Sequence, residues 1–335
     1  MPADPAPALM QAFRAPWWLP GGHAQTIWPA RLSRLHAGPA MPPPRYRRER
    51  WTAPDGDFID VDFLNEGAAV GAPMLVLFHG LEGSSQGIYA MAFAHWARQN
   101  GWHFAVPHFR GCSGELNLGP RAYHSGDFEE IGWVLARLRL QHGAPLRAVG
   151  ISMGGNALLR WAEEAGDSAA EVASAVAAVC SPVDLAASGH AIGRGLNRQV
   201  YTRMFLRTMV PKALAKLVQH PGLFKREAML AVADLYQFDK LFTAPLHGFR
   251  NTEDYWARAS AKPQLNQIRI PALLLNARND PFVPAASLPE AHAVGRYVSL
   301  WQPEHGGHVG FPGGRFPGNS QHLPEGVMGW MRQHG

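Results

Sequence analysis

Cysteine is scarce: only Cys112 and Cys180 occur in 335 residues. Two thiols so far apart exclude a disulfide-built scaffold and fit no C-x-x-C zinc or redox motif. Both read as small, buried or half-buried side chains of a reducing compartment. No run of eighteen apolar residues is present, which excludes a membrane-spanning helix. The N-terminal stretch lacks the basic segment and unbroken apolar segment of a secretory signal, so the expected location is the cytoplasm. H-E-x-x-H is missing as well. In Glu304-His305-Gly306-Gly307-His308 the glutamate lies outside the histidine pair, and the glycines forbid the helix that motif needs. Despite sixteen histidines, no metal is therefore expected. Neither G-x-x-x-x-G-K-[ST] nor G-x-G-x-x-G occurs, so nucleotide binding has no motif support and no cofactor is expected. Charge is also in short supply. Charged residues make up 17%, and 31 Lys and Arg against 26 Asp and Glu leave +5, with a sequence pI of about 9.4. That excess gives little reason to expect a nucleic acid partner.

What is present is a chain that is 47% hydrophobic and long enough to bury a sizeable core. Residues 1–44, rich in Pro, Gly and Trp, read as an irregular N-terminal arm. Residues 45–65 read as two strands around Asp55-Gly56. In the second, Ile59, Val61 and Phe63 alternate with Asp60 and Asp62, the period of a half-buried strand. From residue 73 short apolar runs (74–78, 103–107, 146–151, 175–180, 272–276 and 297–301) alternate with helical stretches (88–99, 127–141, 154–164, 284–292). A last helix spans 324–333. Buried strands alternating with helices predict a mostly parallel central sheet with helices on both faces. Residues 185–262 are too long for one crossover and read as mostly helical. They are either a second domain or a lid inserted into a single domain of 1–335, and the lid is favoured.

Leu146–Ile151 leads directly into Gly150-Ile151-Ser152-Met153-Gly154, a G-x-S-x-G motif between an apolar strand and a helical pattern (Ala157, Leu158, Trp161). A serine on a tight strand-to-helix turn needs neighbours without side chains, which Gly150 and Gly154 supply. The turn also sets Ser152 at a helix N-terminus, where developing negative charge is favoured. The motif in this context predicts the α/β-hydrolase fold with Ser152 as nucleophile.

A serine hydroxyl needs a base, and the base needs an acid to orient it. In this fold the chain order is serine, acid, histidine. Asp280 lies in the loop after the apolar run at 272–276, stopped by Pro281 and Pro284. Asp184, in Ser181-Pro182-Val183-Asp184, is the rival acid one strand earlier. Two histidines follow the last strand. His308, after two glycines, is preferred to His305. Acyl transfer also requires two oxyanion donors. These are expected from the amides of Met153 and of Leu81, in His79-Gly80-Leu81-Glu82-Gly83. Cys112 has no base pattern near it and reads as structural.

The insertion carries Arg194, Arg198, Arg203, Arg207, Lys212, Lys216, Lys225 and Arg226, with Met204, Phe205, Leu206, Met209 and Val210 among them. The favoured reading is the solvated outer face of a lid helix. Weak contact with a membrane surface is the alternative.

Taken together, five blocks resemble the YheT-type α/β-hydrolases, bacterial relatives of the eukaryotic abhydrolase-domain lipid hydrolases. They are the N-terminal Gly21-Gly22-His23-Ala24-Gln25-Thr26, the His79 loop, His108-Phe109-Arg110-Gly111-Cys112-Ser113-Gly114, the serine turn, and Gly306-Gly307-His308-Val309-Gly310-Phe311. The resemblance covers nearly the whole chain. It implies carboxylic-ester hydrolysis with Ser152, Asp280 and His308, and an N-terminal arm packed near the core. An H-x-x-x-x-D acyltransferase signature is absent at His103 and His124. The expectation is a serine carboxylesterase acting on a small-molecule ester, with lipid-like esters among the candidates. A phospholipase or acyltransferase at a membrane surface, and a non-catalytic binding protein on the same fold, are the rivals.

Overall fold

The structure, a computed structural model, describes residues 13–36 and 43–335. A first helix, α1 (Gly21–His36), precedes two strands, β1 (Arg47–Thr52) and β2 (Phe58–Leu64). There follow β3 (Met74–Phe78), α2 (Ile88–Gln99), β4 (His103–Pro107), α3 (Phe128–His142), β5 (Leu146–Ile151), α4 (Met153–Ala165) and β6 (Ala173–Val179). The insertion contributes α5 (Leu185–Ile192), α6 (Arg203–Gln219) and α7 (Thr252–Ala259) with shorter turns between them. β7 (Ala272–Leu275), β8 (Val298–Trp301) and α8 (His322–His334) complete the chain.

The eight strands form one sheet in the order β1-β2-β4-β3-β5-β6-β7-β8. β1 and β2 pair antiparallel with their neighbours, and β3 to β8 run parallel. Both faces of the parallel part are covered, which is why its strands are continuously apolar. In β3, Met74, Val76 and Phe78 enter the core on one face, while Leu75 and Leu77 enter the core on the other. In β6 Val176 and Ala178 likewise oppose Ala175, Ala177 and Val179. Parallel strands end on one edge, so the loops after β3, β5, β7 and β8 gather there, where open α/β sheets place their ligands. Among the described residues no helix is long and apolar enough to cross a membrane.

Three sequence expectations need correcting. The arm expected to be irregular contains α1, although the rest of it, residues 1–12 and 37–42, lies outside the described residues. Its helix is held by tertiary contacts that local composition does not encode. β2 is buried on both sides rather than half-buried. Asp60 and Asp62 lie inside because Arg50 and Arg48 each clamp one with two hydrogen bonds, at 2.8 Å for Asp60 and 2.7 and 2.9 Å for Asp62. Burial alone would raise the Asp62 pKa, but bonds from Arg48, His108 and Ser85 outweigh it and hold the carboxyl well below its ordinary value. Finally, the helix expected at 284–292 is two single turns, Ala285–Ser287 and Ala291–Ala293. Pro289 forces Leu288 into an extended conformation and ends the first turn.

Candidate active site

β5 delivers Ser152 at the start of α4 with φ 52 and ψ −120. A left-handed backbone at a residue with a side chain costs about 1–3 kcal/mol and persists only where its surroundings enforce it. Here the enforcement is close packing of backbone. A Cβ on Gly154 would fall 2.4 Å from the His79 carbonyl oxygen, and one on Gly150 would fall 2.4 Å from the Gly155 Cα. A Cβ on Gly155 would fall 1.9 Å from the Ser181 hydroxyl. The sequence motif predicted the first two glycines; the third follows from how tightly α4 crosses the end of β6.

The loops after β7 and β8 bring Asp280 and His308 to this turn. His308 Nδ1 donates to Asp280 Oδ2 at 2.8 Å. That bond leaves Nε2 as the acceptor for the Ser152 hydroxyl, 3.0 Å away. The other Asp280 oxygen accepts from the amides of Phe282, at 2.7 Å, and Val283, at 3.3 Å. The carboxylate is fully buried, and the imidazole packs against the Phe282 ring at 4.1 Å. The arrangement can withdraw a proton from Ser152 and stabilise the imidazolium that results.

Asp184 and His305 do not join this group. Asp184 caps α5, accepting from the Ala187 amide at 3.0 Å, and His305 makes no hydrogen bond to Ser152 or Asp280 among the described residues. Cys112 is buried, its thiol pushed up to about 12, chiefly by desolvation. Cys180 lies closer in. Its sulfur accepts from the Val309 amide at 3.2 Å, and Cys180, Asp280 and His308 have ligand-type atoms within 4.8 Å of one another. Both nitrogens of His308 are already engaged, and burial raises the Cys180 thiol well above its ordinary pKa. That donor set suits hydrogen bonding rather than a metal.

The loop after β3 runs beside the serine: a Cβ on Gly80 would lie 3.3 Å from the Ser152 Cβ. Its amides at Gly80, Glu82 and Gly83 bond to Tyr89 Oη, Tyr123 Oη and the Gly80 carbonyl. The Leu81 amide has no acceptor among the described residues. Met153 is the first residue of α4, so its amide lies outside the helical ladder. Both Leu81 and Met153 line the cavity that holds Ser152 and His308. Behind the loop, buried His79 has its pKa lowered to about 3 by desolvation. It is neutral, accepting from the Phe109 amide at 3.1 Å and donating to the Gly80 carbonyl at 2.8 Å.

Sequence reasoning gave no role to α1, and there the structure adds most. The Thr26 hydroxyl accepts from the His308 amide at 2.8 Å and donates to the Gly22 carbonyl at 2.7 Å. Gln25 Oε1 accepts from the Gly306 amide and from Asn279 Nδ2, both at 2.9 Å, and Asn279 Oδ1 accepts from the Gly307 amide at 3.0 Å. One helix thus bonds to the loops of both Asp280 and His308. The only sequence signal was the resemblance of the Gly22–Thr26 block to a family.

The cavity has a volume of about 170 Å³ and is mostly apolar, walled by Phe205, Met209, Phe238 and Phe242 from the insertion. The Lys212–Glu82 ion pair, at 2.9 Å, borders it.

Comparison with known proteins bears on this geometry. Residues 73–314 match the family model described as alpha/beta hydrolase fold. The chain is 38% identical over 288 residues to the Escherichia coli (strain K12) protein named "Putative esterase YheT", covering 84% of each chain. It is 28% identical over 332 residues to "Phospholipase ABHD3" of Homo sapiens, covering 96% of this chain and 78% of that one. A solved esterase of Pyrococcus furiosus superposes with TM-score 0.53 at 16% identity, over 87% of this chain and 93% of that one, a likeness of fold alone.

Proposed function

We propose that this chain, which belongs to the α/β-hydrolase family and within it to the YheT-type members, hydrolyses carboxylic esters by nucleophilic catalysis at Ser152. The observation that carries the reading is the linear set Asp280–His308–Ser152, bonded at 2.8 and 3.0 Å beside an apolar cavity.

Ser152 Oγ attacks the ester carbonyl as His308 Nε2 takes its proton. Asp280 holds the Nδ1–H and stabilises the imidazolium without accepting its proton. The amides of Leu81 and Met153 receive the oxyanion. Each such donor is worth about 10²–10³ in rate, because it is fixed before the charge develops. His308 then protonates the leaving alcohol, the ester C–O bond breaks, and the acyl group remains on Ser152. Water, deprotonated by His308, releases the acid and restores the hydroxyl. No cofactor enters.

Residues 185–262 act as a lid and supply the apolar wall, which favours short to medium acyl chains. Labelling with a fluorophosphonate tests the site: native protein labels, Ser152→Ala does not, and Asp280→Asn and His308→Ala label slowly. A folded native protein that stays unlabelled overturns the reading in favour of a binding protein. A marked preference for charged or sugar-like acyl groups overturns the substrate class.

A further inference from the structure

The helical run from Gly195 to Gln219 packs only one of its sides. Phe205, Met209 and Ala213 turn inward and line the cavity beside Ser152. Leu206 is buried with Phe238 and Phe242. On the outer side Leu196, Val200 and Met204 follow at four-residue intervals and stand 58%, 40% and 50% exposed, with Val218 82% exposed further along. Four-residue spacing keeps them on one face. A single exposed leucine needs no explanation, but an aligned row of them among cations does. Arg194, Arg198, Arg203 and Arg207 are all exposed. None has an ion-pair partner among the described residues. From residue 185 to residue 226 the chain holds eight Lys and Arg and no Asp or Glu.

We propose that this face docks the protein on an anionic lipid surface. Arg203 and Arg207, three residues beyond Val200 and Met204 and so on the same face, meet headgroup phosphates, and Leu196, Val200 and Met204 enter the acyl boundary. Charge complementarity selects the occupant. A second copy of the chain, in a two-fold contact, would set arginine against arginine with no carboxylate to answer it. A nucleic acid would satisfy the cations but leave the aliphatic row against phosphate and water, and the row offers no aromatic ring for a base to stack on. A bilayer surface with negative headgroups satisfies both halves of the face. The helix that docks is also the helix whose inner face walls the cavity. Docking therefore brings the ester-binding wall to the membrane and makes a membrane-borne ester the natural substrate. This consequence rests on the esterase reading, whereas docking is measured without turnover.

The test is sedimentation of the full chain with vesicles of phosphatidylcholine alone and of an equimolar mixture with phosphatidylglycerol. The native protein is expected to bind the mixed vesicles, to release as salt rises, and to bind phosphatidylcholine weakly. The double variant Arg203→Gln, Arg207→Gln is expected to bind about thirtyfold more weakly. Val200→Glu and Met204→Glu are each expected to bind at least about tenfold more weakly. All three variants keep native rates on a water-soluble short-chain ester, because these residues do not line the cavity. Absence of native binding at every salt concentration, equal binding to both vesicle types, or unchanged binding in the variants overturns the proposal. Self-association abolished by Met204→Glu, or tighter binding to DNA than to mixed vesicles, overturns it by giving the face another occupant. Ester hydrolysis that survives Ser152→Ala overturns the assignment of the site and leaves the docking result intact.

Discussion

The backbone amide of His308 donates to the hydroxyl of Thr26, 282 residues away, at 2.8 Å. The bond fixes the loop from which the imidazole reaches both Ser152 and Asp280. Displacing a catalytic group by about 1 Å costs on the order of a hundredfold in rate. Thr26→Ala is therefore expected to lower kcat by ten- to about a hundredfold with little change in KM, while Thr26→Ser keeps most activity. Steady-state kinetics on a soluble ester, with the pH profile of kcat, measure this. A purely structural role would lower the amount of folded enzyme and leave the profile of the remainder unchanged.

For the residues of the proposed proton relay the expected losses differ in size. Ser152→Ala is expected to abolish turnover above background. Asp280→Asn preserves shape but favours the wrong imidazole tautomer, a change worth roughly 10⁴ in kcat in such relays. Initial rates with enough enzyme to detect residual turnover separate these outcomes. An Asp184→Asn variant is expected to stay near native, because Asp184 caps α5.

Gly154 offers a stability test at the serine turn. A methyl group there would meet backbone at 2.4 and 2.7 Å, and neither oxygen belongs to a movable side chain. Gly154→Ala is expected to destabilise the fold by at least about 1–3 kcal/mol, the usual cost of overpacking. Urea unfolding at fixed temperature measures it.

Burial of His79 predicts a pH signature. Its folded pKa of about 3 lies below the unfolded value, about 6.5. Between those values the unfolded chain binds more protons, so the stability contributed by neutral His79 is full above pH 6.5 and is lost as pH falls toward 3. Carboxyls with raised pKa, Glu163 to about 8 and Glu130 to about 7, both chiefly by desolvation, titrate in the opposite sense. The difference between native protein and His79→Gln isolates the histidine. That difference is expected to shrink by about 1.4 kcal/mol per pH unit below pH 6.5, read from urea unfolding at pH 7, 6 and 5.

The sheet and the serine turn were legible because each rests on local pattern: apolar runs of strand length, and glycines where a Cβ has no room. The ranking of Asp280 over Asp184 and of His308 over His305 came from chain order and loop glycines; in the structure His308 bonds to Asp280 and to Ser152. What escaped was non-local. Nothing near Asp60 and Asp62 announces that Arg50 and Arg48, themselves exposed on the neighbouring edge strand, will reach in to pair with them. Pro29, which argues against a helix, sits within α1 because Gln25 and Thr26 anchor that helix to loops near the other end of the chain. A helix justified by such partners is invisible to any window of sequence.

That anchoring also dictates when the chain can first act. Residues bonded into one site run from Thr26 through Ser152 to His308, so during synthesis the parts accumulate long before they can cooperate. On the proposed mechanism, a polypeptide halted before residue 308 would own Ser152 and lack the base that activates it. On this reading, reactivity of Ser152 toward a fluorophosphonate is a clock for the end of folding, switched on by the last long-range closure rather than by formation of the sheet.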